Sequence, residues 1–164
     1  MEEIKIINKS LEYADSFLYA LDSVARERRW LAFTEAPPYE KVREFVSELI
    51  RVNDIQVYAL QGDTVIGWCD IVRRKRDVFA HTGSLGMGII KPHRGKGLGS
   101  RMMEECIRQA RANGLEKICL EVYSHNSAGI ALYKKFGFAQ EGVKLKEVKI
   151  DGKYFENVIM GLLL

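Results

Sequence analysis

Residues 94–99 read Arg94-Gly95-Lys96-Gly97-Leu98-Gly99, with glycine at every second position. The run follows a stretch with a period of two and precedes one with a helical period, so it spans a strand-to-helix turn. The first N–H groups of a helix have no partner within it, and they gather at the positive end of the helix dipole. Glycines there remove the side chains that would hold a ligand off those groups, which suits the turn to phosphate or pyrophosphate. Arg94 and Lys96 add positive charge beside it. A strand-to-helix turn without a ligand is the plain alternative. Spacing excludes two familiar phosphate loops. A P-loop needs Gly-x-x-x-x-Gly-Lys followed by Ser or Thr, whereas Gly97 follows Lys96. A dinucleotide fingerprint needs Gly-x-Gly-x-x-Gly, and after Gly95 and Gly97 position 100 is Ser.

The rest of the chain reads as one mixed domain, residues 1–164. Ile4-Lys5-Ile6-Ile7 is a short strand signal, and Ser10 is an N-cap for a helix with Leu11, Ala14, Leu18, Leu21 and Ala25 at helical spacing. Pro37-Pro38 breaks any helix there. A second helix then carries Val42, Phe45, Val46, Leu49 and Ile50 on one face. From Gln56 the period is two, and Gly62-Asp63 joins a pair of strands of which the second runs to Val72. Arg73-Arg74-Lys75-Arg76 reads as a solvated hairpin turn into a third strand, Val78 to Ile90. Gly83, Gly86 and Gly88 in that strand suggest a bulge or a close backbone approach. Past the glycine run, a helix presents Met102, Cys106, Ile107 and Ala110 and stops at Asn113-Gly114. Leu115 to Tyr123 is a strand, and His125-Asn126-Ser127 opens a short helix ending at Phe136-Gly137. Two long strands joined at Asp151-Gly152 complete the order β α α β β β α β α β β, an α/β class.

Composition narrows the function. At 47% hydrophobic the chain is no disordered tail, and no apolar run approaches the length of a membrane-spanning helix. Its start, MEEIKII, is acidic where a signal peptide is basic. A cytoplasmic protein with no membrane partner is expected. A net charge of +3 and a pI of 8.7 permit an anionic ligand but fall short of a nucleic-acid footprint. Cys69, Cys106 and Cys119 sit among apolar neighbours without Cys-x-x-Cys spacing, which fits buried free thiols. His81, His93 and His125 are scattered singly, so no metal is expected.

Two motifs make the chain resemble the GNAT superfamily of N-acetyltransferases. Arg94, Gly97 and Gly99 match its Arg/Gln-x-x-Gly-x-Gly/Ala loop, and Asn126, Leu132-Tyr133 and Gly137-Phe138 match its second signature. The resemblance covers essentially the whole chain and is nearest to the acetyltransferases of amino acids and small amines. It implies a mixed, mostly antiparallel sheet of about six to seven strands, splayed at the centre and flanked by about four helices. It also implies acetyl-CoA as co-substrate. Met87, Gly88 and Ile89 would meet the pantetheine, while Arg94, Gly95, Lys96, Gly97, Leu98, Gly99 and Ser100 would meet the pyrophosphate. Asn126 and Tyr133 complete the implied cofactor contacts.

Tyr133 resembles the family's general acid, which returns a proton to the leaving thiolate. Glu121 lies at the offset from Tyr133 of the base in the ribosomal-protein N-terminal acetyltransferases. Glu35 is a second carboxylate, in the loop that walls the acceptor site of the family, and Trp30 and Phe33 flank it. Asp70 and His81 are weaker candidates for the base. Without the resemblance, Asn126 reads as an N-cap, Tyr133 and Trp68 as core aromatics, and Glu121 as a strand-end charge. The implied reaction is direct attack of a small-molecule primary amine (an amino acid, a polyamine or a drug-like amine) on acetyl-CoA. Acetylation of a protein N-terminus or lysine is the alternative, and a non-catalytic acyl-CoA-binding module is the alternative of another class. The family also suggests a homodimer.

Overall fold

Seven strands share one sheet: β1 (Ile4–Asn8), β2 (Ile55–Gln61), β3 (Thr64–Arg73), β4 (Thr82–Ile89), β5 (Lys117–Tyr123), β6 (Ala139–Ile150) and β7 (Lys153–Leu163). Their spatial order is β1-β2-β3-β4-β5-β7-β6. The computed structural model describes residues 3–164; Met1 and Glu2, part of the acidic start, lie outside the described residues. Every neighbouring pair is antiparallel except β4 and β5. Helices α1 (Ala14–Ala25) and α2 (Tyr39–Arg51) cover one face, and α3 (Leu98–Ala112) and α4 (Ser127–Lys135) the other. The expected mixed, mostly antiparallel sheet with four helices is what the chain forms. None of the described helices is long and apolar enough to cross a membrane.

Burial follows the pleat. Ile55, Val57 and Ala59 of β2 face α3, while Tyr58 and Leu60 face α1 and α2, so the strand is buried on both sides. Met102, Cys106, Ile107 and Ala110 are all buried under α3, as their spacing predicts. The face of α2 is narrower than its sequence pattern. Val42, Val46 and Leu49 are buried, but Phe45 and Ile50 are 36% and 45% exposed. Ser10 caps as expected, accepting from the Glu12 N–H at 3.2 Å, although the first turn, Leu11–Tyr13, is 3-10. Asp151 and Gly152 adopt φ of 50° and 79°, the left-handed pair that a two-residue hairpin needs. Cys69 and Cys106 are buried free thiols, whereas Cys119 is only partly buried.

Two expectations around β4 need correction. The run Arg73–Arg76 does lead into the antiparallel β4, with Arg74, Lys75 and Arg76 exposed, but Arg73 is not solvated. The Arg73 guanidinium donates to the Ala80 carbonyl and, at 2.7 Å, to the Asn113 carbonyl, tying this connection to the end of α3. The next strand therefore starts at Thr82, and Val78 sits 74% exposed in a 3-10 turn, Asp77–Phe79. Nor do the glycines of β4 mark a bulge. Its pairing with β3 runs without a shift from Gly67↔Ile89 to Arg73↔Gly83. A Cβ at Gly88 would run into the Trp68 ring, and one at Gly86 would come within 3.2 Å of Asp70 Oδ1. The close approach is made by side chains of β3.

The feature that positions the site is a split in the sheet. β4 and β5 pair only at Thr82↔Lys117, Gly83↔Ile118 and Ser84↔Cys119. Beyond Ser84, β4 stays on β3 and β5 stays on β7, so residues 85–89 keep one edge unpaired.

Candidate active site

Two cavities open from the split. One, about 440 Å³, runs from β4 past the glycine turn to α4. The other, about 520 Å³, lies between the 30–34 loop, β5 and the β6–β7 pair. Trp30, Met87, Asn126 and Tyr133 line both, so the cavities meet at these four residues.

The first cavity gathers most of the residues expected to hold a cofactor. Met87, Gly88, Ile89, Arg94, Gly95, Gly97, Gly99, Ser100, Asn126 and Tyr133 all line it. Gly95 and Gly97 have φ of +71° and +79°, and a Cβ at either would have no atom within 4 Å. Only a residue free to adopt a left-handed backbone builds this turn, and it leaves the space over the start of α3 clear. Gly99 has another job. A Cβ there would come 2.9 Å from Leu132, so this glycine lets α3 and α4 approach.

Both cations of the run have partners within the protein. Arg94, on the cavity wall, donates to the Ile89 carbonyl at 2.7 Å and grips both oxygens of Glu27, at 2.8 and 2.5 Å. Arg94 in turn holds the Glu27 carboxyl below its usual range. Glu27 also accepts from the Trp30 indole at 2.8 Å, so this ion pair fixes the tryptophan at the junction. Lys96 is exposed, off the cavity wall, and bonds the Pro92 carbonyl at 2.9 Å. Leu98 buries its side chain in the core and has only backbone to offer. An anion placed at the turn would therefore meet chiefly backbone N–H groups at the start of α3. Lys135, which the sequence reading missed, reaches Ser100 Oγ at 3.0 Å beside the cavity.

Asn126 is the N-cap of α4, accepting from the Gly129 N–H at 2.9 Å while lining both cavities. Tyr133, one face of α4 later, is 7% exposed. Burial pushes its phenol above the ordinary value, so it keeps its proton at neutral pH.

In the second cavity the expected acceptor residues divide. Trp30 is at the junction, but Phe33 and Glu35 line neither cavity. Glu35 is 74% exposed and 3.8 Å from Arg26; Leu31, Ala32 and Thr34 of the same loop face the cavity instead. His125 anchors this loop through the Arg29 carbonyl, 2.8 Å from its Nε2. Glu121 does line the cavity, with its carboxylate bonded by Lys144 Nζ at 2.9 Å and Asn157 Nδ2 at 2.5 Å. Glu147 and Asn157, on the same wall, were not singled out by the sequence.

Known proteins agree with this geometry. The family model for the acetyltransferase (GNAT) family matches residues 21–138. The chain is similar to YwnH of Bacillus subtilis (strain 168), named for phosphinothricin acetylation, at 30% identity over 85% of this chain and 86% of the relative. It is 34% identical, over 67% of this chain and 59% of the relative, to an L-methionine sulfoximine/L-methionine sulfone acetyltransferase of Pseudomonas paraeruginosa (strain DSM 24068 / PA7). Among solved structures, an acetyltransferase of the GNAT family from Streptococcus pneumoniae superposes with a TM-score of 0.92 at 27% identity, covering 99% of this chain and 100% of that one.

Proposed function

Because the chain belongs to the acetyltransferase (GNAT) family, we propose that it moves an acetyl group from acetyl-CoA to the primary amine of a small molecule. The observation that carries the reading is the meeting of two cavities at Tyr133, with an unpaired strand edge and a glycine turn lining one of them. Acetyl-CoA supplies the activated thioester. The residues fit it: the free edge of 85–89 offers alternate N–H and C=O groups to an extended amide chain, and Gly95 and Gly97 leave room for a pyrophosphate. Relatives named for amino-acid acceptors support a small acceptor.

In this reading each residue has a task. Trp30, held by Glu27 and Arg94, walls the junction. Backbone N–H groups of β4 polarise the thioester carbonyl, and the protonated Tyr133 hydroxyl donates to the departing sulfur. The amine must lose a proton before it attacks. Glu121, the expected proton acceptor, is committed to Lys144 and Asn157, so water at the junction takes the proton and Glu121 acts on binding. The partly consumed basic run at Arg73 supports a reading without nucleic acid, and the free cysteines support a cytoplasmic location. Edge strand β6, with Leu145 74% exposed, supports a homodimer.

The test is release of free thiol from acetyl-CoA against a panel of amines; no release with any of them would overturn the transferase reading. A binding prediction accompanies it. Gly97→Val should weaken acetyl-CoA at least about tenfold, because a β-branched residue resists the left-handed turn and its side chain projects into the cavity. Calorimetric titration measures this, and wild-type affinity would remove the pyrophosphate from the turn. Gly99 is the poorer probe, since its substitution also forces α3 from Leu132.

A further inference from the structure

The floor of the second cavity is a glycine with a carboxylate behind it. Gly86 lines this cavity, one residue before Met87 at the junction. Its partner on β3 is Asp70, whose Oδ1 lies 3.2 Å from where a Cβ of Gly86 would be. A side chain at position 86 would crowd that oxygen, so glycine leaves it room beside the cavity. Asp70 alternates with Trp68 along β3, and both face the side of the sheet on which Trp30 and Leu31 pack. Two residues past the last β4–β5 pair, Ser84↔Cys119, Gly86 and Glu121 stand on opposite sides of the split. The carboxylates of Asp70 and Glu121 thus lie to either side of one glycine.

Their partners differ. Glu121 is bonded by Lys144 and Asn157. No cation among the described residues offsets Asp70. Burial pushes its carboxyl up to about 7, and only Gln56 on β2 acts the other way. Other groups facing it are few. Tyr58, also on β2, is held protonated by burial and donates to Gln56. Helices α1 and α2 turn apolar side chains to this face, Phe17, Leu21 and Val46 among them. Residues 30–34 contain no titratable side chain, and the Cys69 and Cys106 thiols are buried on the other face. Asparagine would fill the same room with no charge to bury, so packing does not call for a carboxylate here. A carboxyl that changes form near neutral pH can take up and release a proton in each turnover.

We propose that Asp70 is the final acceptor of the proton that the attacking amine sheds, reached over Gly86 through the water at the junction. The proposal rests on the acetyl-transfer reading above. An N–H bond of the ammonium breaks, water takes that proton and hands one to Asp70 Oδ1, and the freed lone pair on nitrogen attacks the thioester carbonyl. The carbon–sulfur bond then breaks and sulfur takes the Tyr133 proton. The proton shed by the new amide nitrogen replaces it on the tyrosine. Asp70 gives its own proton to solvent once the products leave.

The experiment follows kcat against pH, with acetyl-CoA and amine both saturating, for wild type, Asp70→Asn and Glu121→Gln. Wild-type kcat should fall as pH drops below about 7, because a protonated Asp70 accepts nothing. Asp70→Asn should lower kcat at neutral pH by about 10²-fold, flatten the acidic limb and leave acetyl-CoA affinity unchanged. A merely structural role would lower kcat at every pH and leave the limb in place; thermal melting checks that the variant folds. Glu121→Gln should keep the limb and act on KM. An acidic limb that survives in Asp70→Asn would overturn the proposal and leave the transferase reading standing, and a limb lost only in Glu121→Gln would give the role to Glu121. Absence of thiol release by wild type with every amine would overturn the reading and this proposal together.

Discussion

Tyr133→Phe is expected to lower turnover by about 10²–10⁴-fold while acetyl-CoA affinity changes little. The substitution removes one hydroxyl and keeps the ring, which packs 5.8 Å from Phe138 at the base of α4. Packing should therefore survive, and the melting temperature should stay close to wild type. What is lost is the donor at the junction of the two cavities. Burial keeps the Tyr133 phenol protonated across the neutral range, so the proton is available whenever the thiolate leaves. Pre-steady-state measurement of the chemical step separates this from product release. A chemical step as fast as wild type would transfer the acid role to water.

The second large effect concerns stability. Asp70 in β3 stands opposite Gly86 and Gln56, half-buried, with Oδ1 in the room that the missing Cβ of Gly86 leaves. Gln56 beside it is fully buried, takes a hydrogen bond from Tyr58 at 2.8 Å, and leaves its Nε2 without a partner. Burial pushes the Asp70 carboxyl up to about 7, far above the value near 3.9 of an unfolded chain. The folded state thus holds the proton more tightly than the unfolded one. Asp70 costs nothing below about pH 4, its cost grows as pH rises toward 7, and it is constant above that. Asparagine keeps the shape without the charge. Asp70→Asn should therefore match wild type near pH 4 and exceed it at pH 8 by on the order of 2 kcal/mol. Denaturant midpoints of the two proteins across that range measure the difference; a gap that does not widen with pH would mean that Asp70 is charged and compensated in the fold.

Where a structural partner lies within a few residues, the sequence announces it. The Asp151-Gly152 hairpin, the Ser10 and Asn126 caps and the left-handed Gly137 that ends α4 are of this kind. So are the glycine turn and the order of elements, which depend on local period and backbone freedom. Side chains that meet across the fold leave no such trace. Arg94 reads as positive charge beside the turn, and its ion pair with Glu27, 67 residues away in sequence, leaves no trace there. Glycines of β4 read as a bulge or a close approach, without a choice between them, because Trp68 and Asp70, which occupy their missing side chains' space, belong to another strand. Glu147 joins Glu121 only because β6 is irregular between Lys144 and Val148, and nothing in its neighbours' hydropathy marks that shift. Glu35 has the right loop but the wrong direction, a matter of χ angles and backbone turn that periodicity does not carry.

The short seam between β4 and β5 has a thermodynamic consequence. Three residue pairs stitch a half-sheet of β1–β4 to another of β5–β7, and past them the halves are bridged by side chains such as Arg28 on Asp151, at 2.7 Å, and His125 on the backbone of Arg29. An extended molecule laid along residues 85–89 supplies the hydrogen bonds that a further strand would have made. Its binding energy is then also cohesion between the halves, added to the stability of the fold in proportion to the logarithm of its concentration. With acetyl-CoA bound along that edge, as proposed, the two halves would be tied most firmly, and each release of product would loosen the seam that the next acetyl-CoA must close.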